Sequence, residues 1–203
     1  MEDEKKLLIS DIEAVILGLL AEKPRYGYEL EKIINKRGLR MWTSIGFSSI
    51  YYVLKRLETN GLVSSREKEG KKGKPSRRIY ECSSQGTYIM HNKIIEILST
   101  FQKVISPYDL AVAFAGLLPI EEEIEYVRQS LHSSNLRIAF LRGEIKRHTA
   151  EGYTFHMLAH FERHLYYAEA EKKWIQRYLD YLLKKGNSAV RTWVEPAHIN
   201  GRS

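Results

Sequence analysis

The stretch "FSSIYYVLKRLETNGLV", residues 47–63, decides how the first part of this chain folds. Its apolar residues recur at three- and four-residue spacing, which predicts a helix with one buried stripe: Ile50, Val53, Leu54 and Leu57. At about 100° per residue, the opposite direction carries Ser48, Tyr52, Lys55 and Thr59, with Arg56 and Tyr51 on the flanks. This outer face is therefore either plain solvent-exposed surface or a surface that recognises a partner.

The composition is that of an ordinary folded protein. The chain has 203 residues, 43% of them apolar, which suits one large domain or two small ones. It has no run of the roughly 20 apolar residues that a membrane span needs, and its start, "MEDEKK", is not a secretory signal. A cytoplasmic location is expected. The single cysteine, Cys82, excludes an internal disulfide and argues against a cysteine-rich zinc site.

The positive charge is concentrated in one part of the chain. Residues 21–80 contain 15 Lys and Arg against 6 Asp and Glu, a net charge of +9 in a chain whose total is +7. A basic segment joined to a nearly neutral one favours a polyanion-binding module attached to a part with another task. An ordinary solvated surface is the alternative interpretation.

Three short helices and a basic hairpin are expected in the first half. Ser10 and Glu13 have capping-box spacing at the start of the first helix, Pro24 closes it, and a second helix runs from about Tyr26 to Arg37 before Gly38. The helix of the opening stretch ends at Asn60-Gly61. Two extended segments, 62–68 and 77–83, flank a turn rich in Gly, Lys and Pro, and a fourth helix follows to about residue 101.

The second half has heptad periodicity. One apolar seam consists of Ile120, Ile124, Val127, Leu131, Ile138, Leu141 and Ile145, interrupted by Ser134 and ending at His148. A second seam consists of Leu158, Phe161, Leu165, Ala168, Ile175, Leu179 and Leu182, interrupted by Lys172. Two long helices that bury these stripes against each other are predicted. The expected division is a first, basic domain at 8–105, a second, helical domain at 106–186, and a flexible tail at 187–203.

The order helix, helix, helix, basic hairpin is that of a winged helix-turn-helix module, whose third helix enters the major groove of DNA. The fold class expected is therefore mainly α, with a winged helix-turn-helix domain followed by an all-α helical hairpin. The predicted DNA contacts on the third helix are Ser48, Ser49, Tyr51, Tyr52, Lys55 and Arg56. Those of the wing are Lys71, Lys72, Lys74, Arg77 and Arg78, which should contribute affinity and salt dependence more than sequence choice.

Three stretches, "ILGLLAEKPRYGYELEKI", "SSIYYVLKRLETNGLV" and "GKPSRRIYECSSQG", resemble the PadR family of bacterial transcriptional regulators over about residues 12–90. The resemblance implies a dimeric, usually repressing, winged-helix protein, and its third-helix tyrosine corresponds to Tyr51. The helical wheel places Tyr52 nearer the centre of the exposed face, so both tyrosines are kept. The second half, with "YDLAVAFAGLLP", is similar to the dimerisation domain of longer members. Family members respond to small aromatic or drug-like effectors.

Two features of the last helix allow more than one interpretation. His156, His160 and His164 have the i, i+4, i+8 spacing with which neighbours could chelate a metal, but a polar helix face is the favoured interpretation and no metal site is predicted. An aromatic stripe runs beside the apolar seam: His160, His164, Tyr167, Glu171, Trp174, Tyr178 and Tyr181. It fits a dimer interface, the favoured interpretation, or a pocket for an aromatic ligand.

The function expected from the sequence is a homodimeric repressor that binds a pseudo-palindromic operator on double-stranded DNA and is released by a small effector. No nucleophile elbow, HExxH pair or glycine-rich phosphate loop is present in the sequence, so neither an enzyme nor a cofactor is predicted. Two alternatives are a nonspecific architectural DNA-binding protein and a ligand-binding protein that uses the winged fold only structurally.

Overall fold

The computed structural model describes residues 9–41, 43, 49–68, 77–101 and 103–185. The chain divides into two compact units, Met1–Lys103 and Val104–Ser203. The elements of the first unit are α1 (Asp11–Glu22), β1 (Arg25–Tyr26), α2 (Gly27–Lys36), α3 (Ser49–Thr59), β2 (Val63–Lys68), β3 (Arg77–Cys82) and α4 (Ser84–Ser99). Those of the second are α5 (Pro107–Phe114), α6 (Ile120–Ala150) and α7 (Phe155–Lys185). The prediction of a mainly helical protein is confirmed.

The three helices that precede the hairpin begin and end close to where the sequence predicts. Ser10 caps α1, and the Glu13 side chain accepts a hydrogen bond from the Ser10 backbone N–H, so the predicted capping box is formed. Gly38 and Gly61 follow α2 and α3 with φ of 64° and 69°. This left-handed conformation is strained for other residues and suits glycine at the end of a helix.

The small sheet has three antiparallel strands in the order β1-β3-β2. The hairpin of β2 and β3 is the predicted wing, paired from Val63 opposite Cys82 to Lys68 opposite Arg77. The sequence did not predict β1, a two-residue strand that pairs with β3 through Arg25 opposite Tyr80. Its shortness explains the miss, because two residues show no alternation. The strand connects the start of α2 to the wing.

The core of the first unit lies between α1, α2, α3 and the sheet. Its fully buried side chains include the expected stripe of α3 together with residues of α1 and α2: Ile16, Leu17, Leu20, Leu30, Ile34, Ile50, Leu54, Leu57 and Leu62. Burial of each such side chain stabilises the fold by about 1.5–3 kcal/mol relative to exposure. The position of α3 is therefore fixed by its inner face, which leaves the outer face available for another task.

In the second unit α6 and α7 form an antiparallel hairpin, because Glu123 contacts Tyr178 whereas Arg142 contacts Glu169. Both predicted seams lie at this contact. Their buried members are Ile120, Val127, Ile138, Leu141, His148, Phe161, Ala168, Ile175, Leu179 and Leu182. A short helix, α5, begins at Pro107 with Ser106 as its cap, where the sequence predicted only a boundary.

Candidate nucleic-acid interface

The outer face of α3 is exposed as the helical periodicity predicts. The side chains of Tyr51 and Tyr52 are 58% and 66% exposed, and Lys55 is also exposed. Ser49 is the first residue of the helix, and its side chain is not described. Ser48 lies outside the described residues. The helix therefore presents two phenol groups and one ammonium group to its surroundings while its opposite face is buried.

Arg56, on the flank of this face, binds a buried carboxylate of α1. Its Nε donates to Oε1 of Glu13 at 2.7 Å, and a second guanidinium nitrogen approaches Oε2 of Glu13 at 2.5 Å. Burial would raise the pKa of Glu13, but hydrogen bonds from Arg56 and from Ser10 outweigh it and hold the pKa below its usual value. The pKa of Arg56 is raised, mainly by the hydrogen bond to Glu13 and also by one with Tyr52.

This contact gives Arg56 a structural role that the sequence analysis missed. Glu13 belongs to the capping box of α1, so one carboxylate joins the start of α1 to the last turn of α3. Arg56 could make its predicted DNA contact only in competition with this carboxylate. Among the described residues, no carboxylate forms an ion pair with Lys55. The sequence contained one indication of this role. Glu13 stands among the apolar residues of the first helix, and this pattern could have suggested a buried glutamate.

The start of α2 approaches the ring of Tyr51 closely. A Cβ atom placed on Gly27 would lie 2.6 Å from the Tyr51 ring, so only glycine allows the ring to occupy this position. Beside it lies a cavity of about 360 Å³, here called the tyrosine cleft. It is lined by residues of β1, α2, α3 and β3: Tyr26, Gly27, Tyr28, Tyr51, Arg77, Arg78 and Tyr80. The cleft thus separates the exposed face of α3 from the returning strand of the wing.

The two arginines of β3 are held by groups in and around the tyrosine cleft. Arg77 donates to the Tyr28 hydroxyl at 3.3 Å, with its guanidinium carbon 5.3 Å from the centre of the Tyr28 ring. Arg78 lies 3.9 Å from a carboxylate oxygen of Glu58. Burial raises the pKa of Tyr80, although Arg78 beside it opposes this rise. Lys71, Lys72 and Lys74, the predicted bases of the wing tip, lie outside the described residues.

Several arginines of the first unit form ion pairs with glutamates of the same unit. Glu22 pairs with both Arg25 and Arg37, at 2.7 and 2.5 Å, and Glu31 pairs with Arg40 at 2.7 Å. Arg25 is almost completely buried and also donates to the Leu19 carbonyl. Glu22 and Glu31 are already subtracted in the net charge of +9, so most of this charge is carried by basic residues outside these pairs.

The residues of the aromatic stripe on α7 occupy several environments. Trp174 and Tyr167 are exposed, Trp174 stacks on Tyr178 with ring centres 5.1 Å apart, and Tyr181 is half-buried. Tyr178 donates a hydrogen bond to the buried carboxylate of Glu123. The pKa of Tyr178 is raised, first by burial and second by this hydrogen bond. One part of the stripe therefore supports the hairpin and another part faces outward.

His160 and His164, at the other end of the stripe, are half-buried beside the loop that joins α6 to α7. Nδ1 of His160 donates to the Met157 carbonyl at 2.7 Å, and the two imidazole rings are 6.3 Å apart. Burial lowers the pKa of both histidines. Among the described residues no group of three or more His, Cys, Asp or Glu could hold a metal ion, and no described helix is long and apolar enough to cross a membrane.

Three short helices whose third exposes its outer face, followed by an antiparallel hairpin, define a winged helix-turn-helix domain. Residues 16–92 match the Transcriptional regulator PadR-like family, so the resemblance of this segment to that family is confirmed. No curated protein matches the chain in sequence.

Solved structures share the fold over most of the chain. A crystal structure of Bacillus subtilis PadR in complex with operator DNA has a TM-score of 0.71 at 20% identity, covering 85% of this chain and 99% of that one. The PadR-like regulator BC1756 from Bacillus cereus has a TM-score of 0.64 at 20% identity, with 86% and 99% covered. B. subtilis PadR in complex with p-coumaric acid has a TM-score of 0.71 at 19% identity, with 86% and 98% covered. At these identities the similarity shows the fold.

Proposed function

We propose that this protein is a sequence-specific DNA-binding transcriptional regulator that inserts α3 into the major groove. The observation that carries the proposal is the division of α3 into a fully buried inner face and an outer face of Tyr51, Tyr52 and Lys55. A major groove about 12 Å wide admits a helix, and these side chains suit base edges, thymine methyl groups and phosphates. The match of residues 16–92 to a family of transcriptional regulators supports the same function.

The remaining predicted contacts divide the work of binding. Lys55 reaches a guanine edge or a phosphate, and Ser48 and Ser49 reach phosphates or bases near the start of α3. In this proposal the basic residues of the wing lie along the adjacent DNA backbone and supply affinity without sequence information. They are Lys71, Lys72, Lys74, Arg77 and Arg78. The related B. subtilis PadR has been crystallised with operator DNA, which supports a duplex as the partner here.

The protein acts as a homodimer in this proposal. A twofold assembly presents two α3 helices to half-sites about one helical turn apart on a pseudo-palindromic operator. The outward part of the aromatic stripe, with Tyr167 and Trp174 exposed, supports α7 as a contact between subunits. Large exposed aromatic side chains of this kind are typical of interfaces.

Regulation is proposed to be repression that a small aromatic effector releases. B. subtilis PadR has been crystallised with p-coumaric acid, which supports an aromatic carboxylate as a class of effector. An effector that binds one arrangement of the two α3 helices more tightly than another shifts the population and changes their spacing. No catalytic role or cofactor is included in the proposal.

The main proposal and its alternatives differ in whether the protein binds DNA and in whether it prefers one DNA sequence over another. Fluorescence anisotropy titrations would compare the DNA upstream of the protein's own gene with an unrelated duplex of equal length at a fixed salt concentration. A specific regulator prefers its site by ~10³-fold or more. Equal affinities would support a nonspecific architectural protein, and absence of binding would support a ligand-binding protein in which the wing is structural. Titrations repeated with phenolic compounds test release.

A further inference from the structure

We propose that the tyrosine cleft binds a phosphate of the DNA backbone, with Tyr28 and Arg77 as its main contacts. This inference rests on the proposed function, because it specifies a contact within the same interface. Neither Tyr28 nor the cleft was among the DNA contacts that the sequence predicted. A backbone phosphate at this point joins the surface of α3 to that of β3.

The first argument is the orientation of Arg77. Its guanidinium carbon lies 5.3 Å from the centre of the Tyr28 ring, and one of its nitrogens donates to the Tyr28 hydroxyl at 3.3 Å. The same ring stacks on Tyr26 at 5.6 Å and has the Lys32 ammonium 5.5 Å from its centre. These stacking and cation–π contacts restrain Tyr28 and Arg77, so Arg77 loses less side-chain entropy when it binds an anion.

The second argument is the chemistry of the groups in the cleft. A guanidinium has five N–H donors in a planar fork that matches phosphate oxygens, and the hydrogen bond to Tyr28 uses one of them. Lys32 and Arg78 add positive charge close to the cleft, while tyrosine hydroxyls can donate to a phosphate oxygen. The described lining of the cleft holds Arg77 and Arg78 and no carboxylate, and Glu58 lies 3.9 Å from Arg78, so positive charge in the cleft exceeds negative charge.

The third argument is the position of the cleft. Tyr51 brings α3 to one wall, and Arg77 and Arg78 bring β3 to the other. If α3 enters the major groove and the wing follows the DNA backbone, the DNA strand that runs between α3 and the wing passes this cleft. A backbone phosphate and its sugar together use both the ionic and the aromatic lining. A free phosphate ion would use the ionic groups alone, which is why the DNA backbone is the source proposed.

The test uses the full-length protein and three variants, with both duplexes of the previous section. Arg77→Gln removes the charge, Tyr28→Phe removes only the hydroxyl, and Arg128→Gln, at an exposed position of α6, is the control. Arg77→Gln is expected to weaken binding to both duplexes by about the same factor and to reduce the slope of log K against log salt by about 0.9. Tyr28→Phe is expected to weaken both without changing the slope, because no charge is lost.

A second measurement locates the contact on the DNA. Methylphosphonate substitution neutralises one phosphate at a time, and wild-type affinity should fall at every contacted phosphate, one of which in each half-site meets the tyrosine cleft. The Arg77→Gln variant should have lost its sensitivity at that position and kept it elsewhere. Circular dichroism and thermal melting of each variant exclude unfolding as the cause of weaker binding.

Two results would overturn the inference while leaving the proposed function in place. In the first, wild-type protein prefers its own upstream DNA but Arg77→Gln changes neither affinity nor salt slope. In the second, methylphosphonate substitution weakens wild-type and Arg77→Gln protein at the same positions and by the same factors, which would show that Arg77 contacts none of these phosphates. If wild-type protein binds neither duplex, the inference and the proposed function fail together.

Discussion

Arg56 on α3 binds the buried carboxylate of Glu13 on α1 through two of its nitrogens. The contact fixes the last turn of the proposed recognition helix to the capped start of another helix. Because Glu13 is almost completely buried, its charge depends on this partner. Arg56 therefore connects the stability of the domain to the position of the surface that is proposed to meet DNA.

The first prediction concerns this ion pair. Arg56→Ala should lower the melting temperature clearly, since it leaves a buried carboxylate with no cationic partner, and Arg56→Lys should restore part of the loss. Because the pKa of Glu13 is lowered in the fold, its stabilisation is full above 4.5 and is lost as pH falls below it. The difference between wild type and Arg56→Ala should therefore shrink in acid. Equal melting temperatures at neutral pH would contradict this account, and Arg128→Ala serves as an exposed control.

The second prediction concerns the close approach of Gly27 to Tyr51. Gly27→Ala forces the Tyr51 ring to move, which costs little stability because this ring is more than half exposed. DNA affinity should fall about 3- to 10-fold, the effect of disturbing one contact worth roughly 1 kcal/mol. If the effect acts through Tyr51, Gly27→Ala should have no further effect in a Tyr51→Ala background.

The matched control for this substitution is Gly143→Ala in the middle of α6. An added Cβ meets no atom within 4 Å there, so the change should stabilise the protein by about 0.5–1 kcal/mol and leave DNA affinity unchanged. Wild-type affinity in Gly27→Ala would show that the position of Tyr51 is irrelevant to DNA.

The third prediction concerns the hydrogen bond inside the second unit. Tyr178→Phe removes the donor to the buried Glu123 carboxylate and should destabilise this unit by about 1.5–3 kcal/mol, the usual contribution of a hydrogen bond to a charged group. Urea denaturation followed by circular dichroism measures the loss. Tyr126→Phe, at an exposed position of α6, should have little effect. Unchanged stability in Tyr178→Phe would mean that the Glu123 carboxylate finds another donor.

The fourth prediction concerns pH. Burial lowers the pKa of His160, so the unfolded chain binds a proton more readily than the fold does below 6.5. Stability should then be full above 6.5 and should decrease as pH falls through the interval below it. His164 and His148 oppose protonation of His160, and Arg137 and Arg163 oppose that of His164. His160→Gln should reduce the dependence of melting temperature on pH, whereas His132→Gln, on an exposed position, should not.

Apolar periodicity was sufficient to predict α1, α2, α3, α6 and α7 and the buried faces of α3, α6 and α7, whereas α5 was missed. The buried stripe of α3 and both seams of the α6–α7 hairpin were predicted because their apolar residues recur every three or four positions. The wing was predicted because a turn rich in glycine and lysine separates two segments that lack helical spacing. The residue types on the outer face of α3 followed from the same wheel.

Contacts between distant residues could not be predicted in this way. The pair Arg56–Glu13 joins residues 43 positions apart, and Arg77 meets Tyr28 across 49 positions. Neither pairing follows from local spacing, because the first depends on how α1 packs against α3 and the second on how the wing approaches the start of α2. The short strand β1 was missed for the same reason, since it forms only because β3 lies beside Arg25 and Tyr26.

The most direct test of the central claim, that α3 reads DNA sequence, is the ratio of affinities for the upstream DNA and for an unrelated duplex, measured for wild type and for Lys55→Ala. Loss of a base contact typically costs about 1–3 kcal/mol of discrimination, so the ratio should fall about 5- to 150-fold. Affinity for the unrelated duplex should change much less. A ratio that stays the same in Lys55→Ala and in Tyr52→Ala, while the wild type remains sequence-specific, would contradict the claim that the outer face of α3 selects the operator.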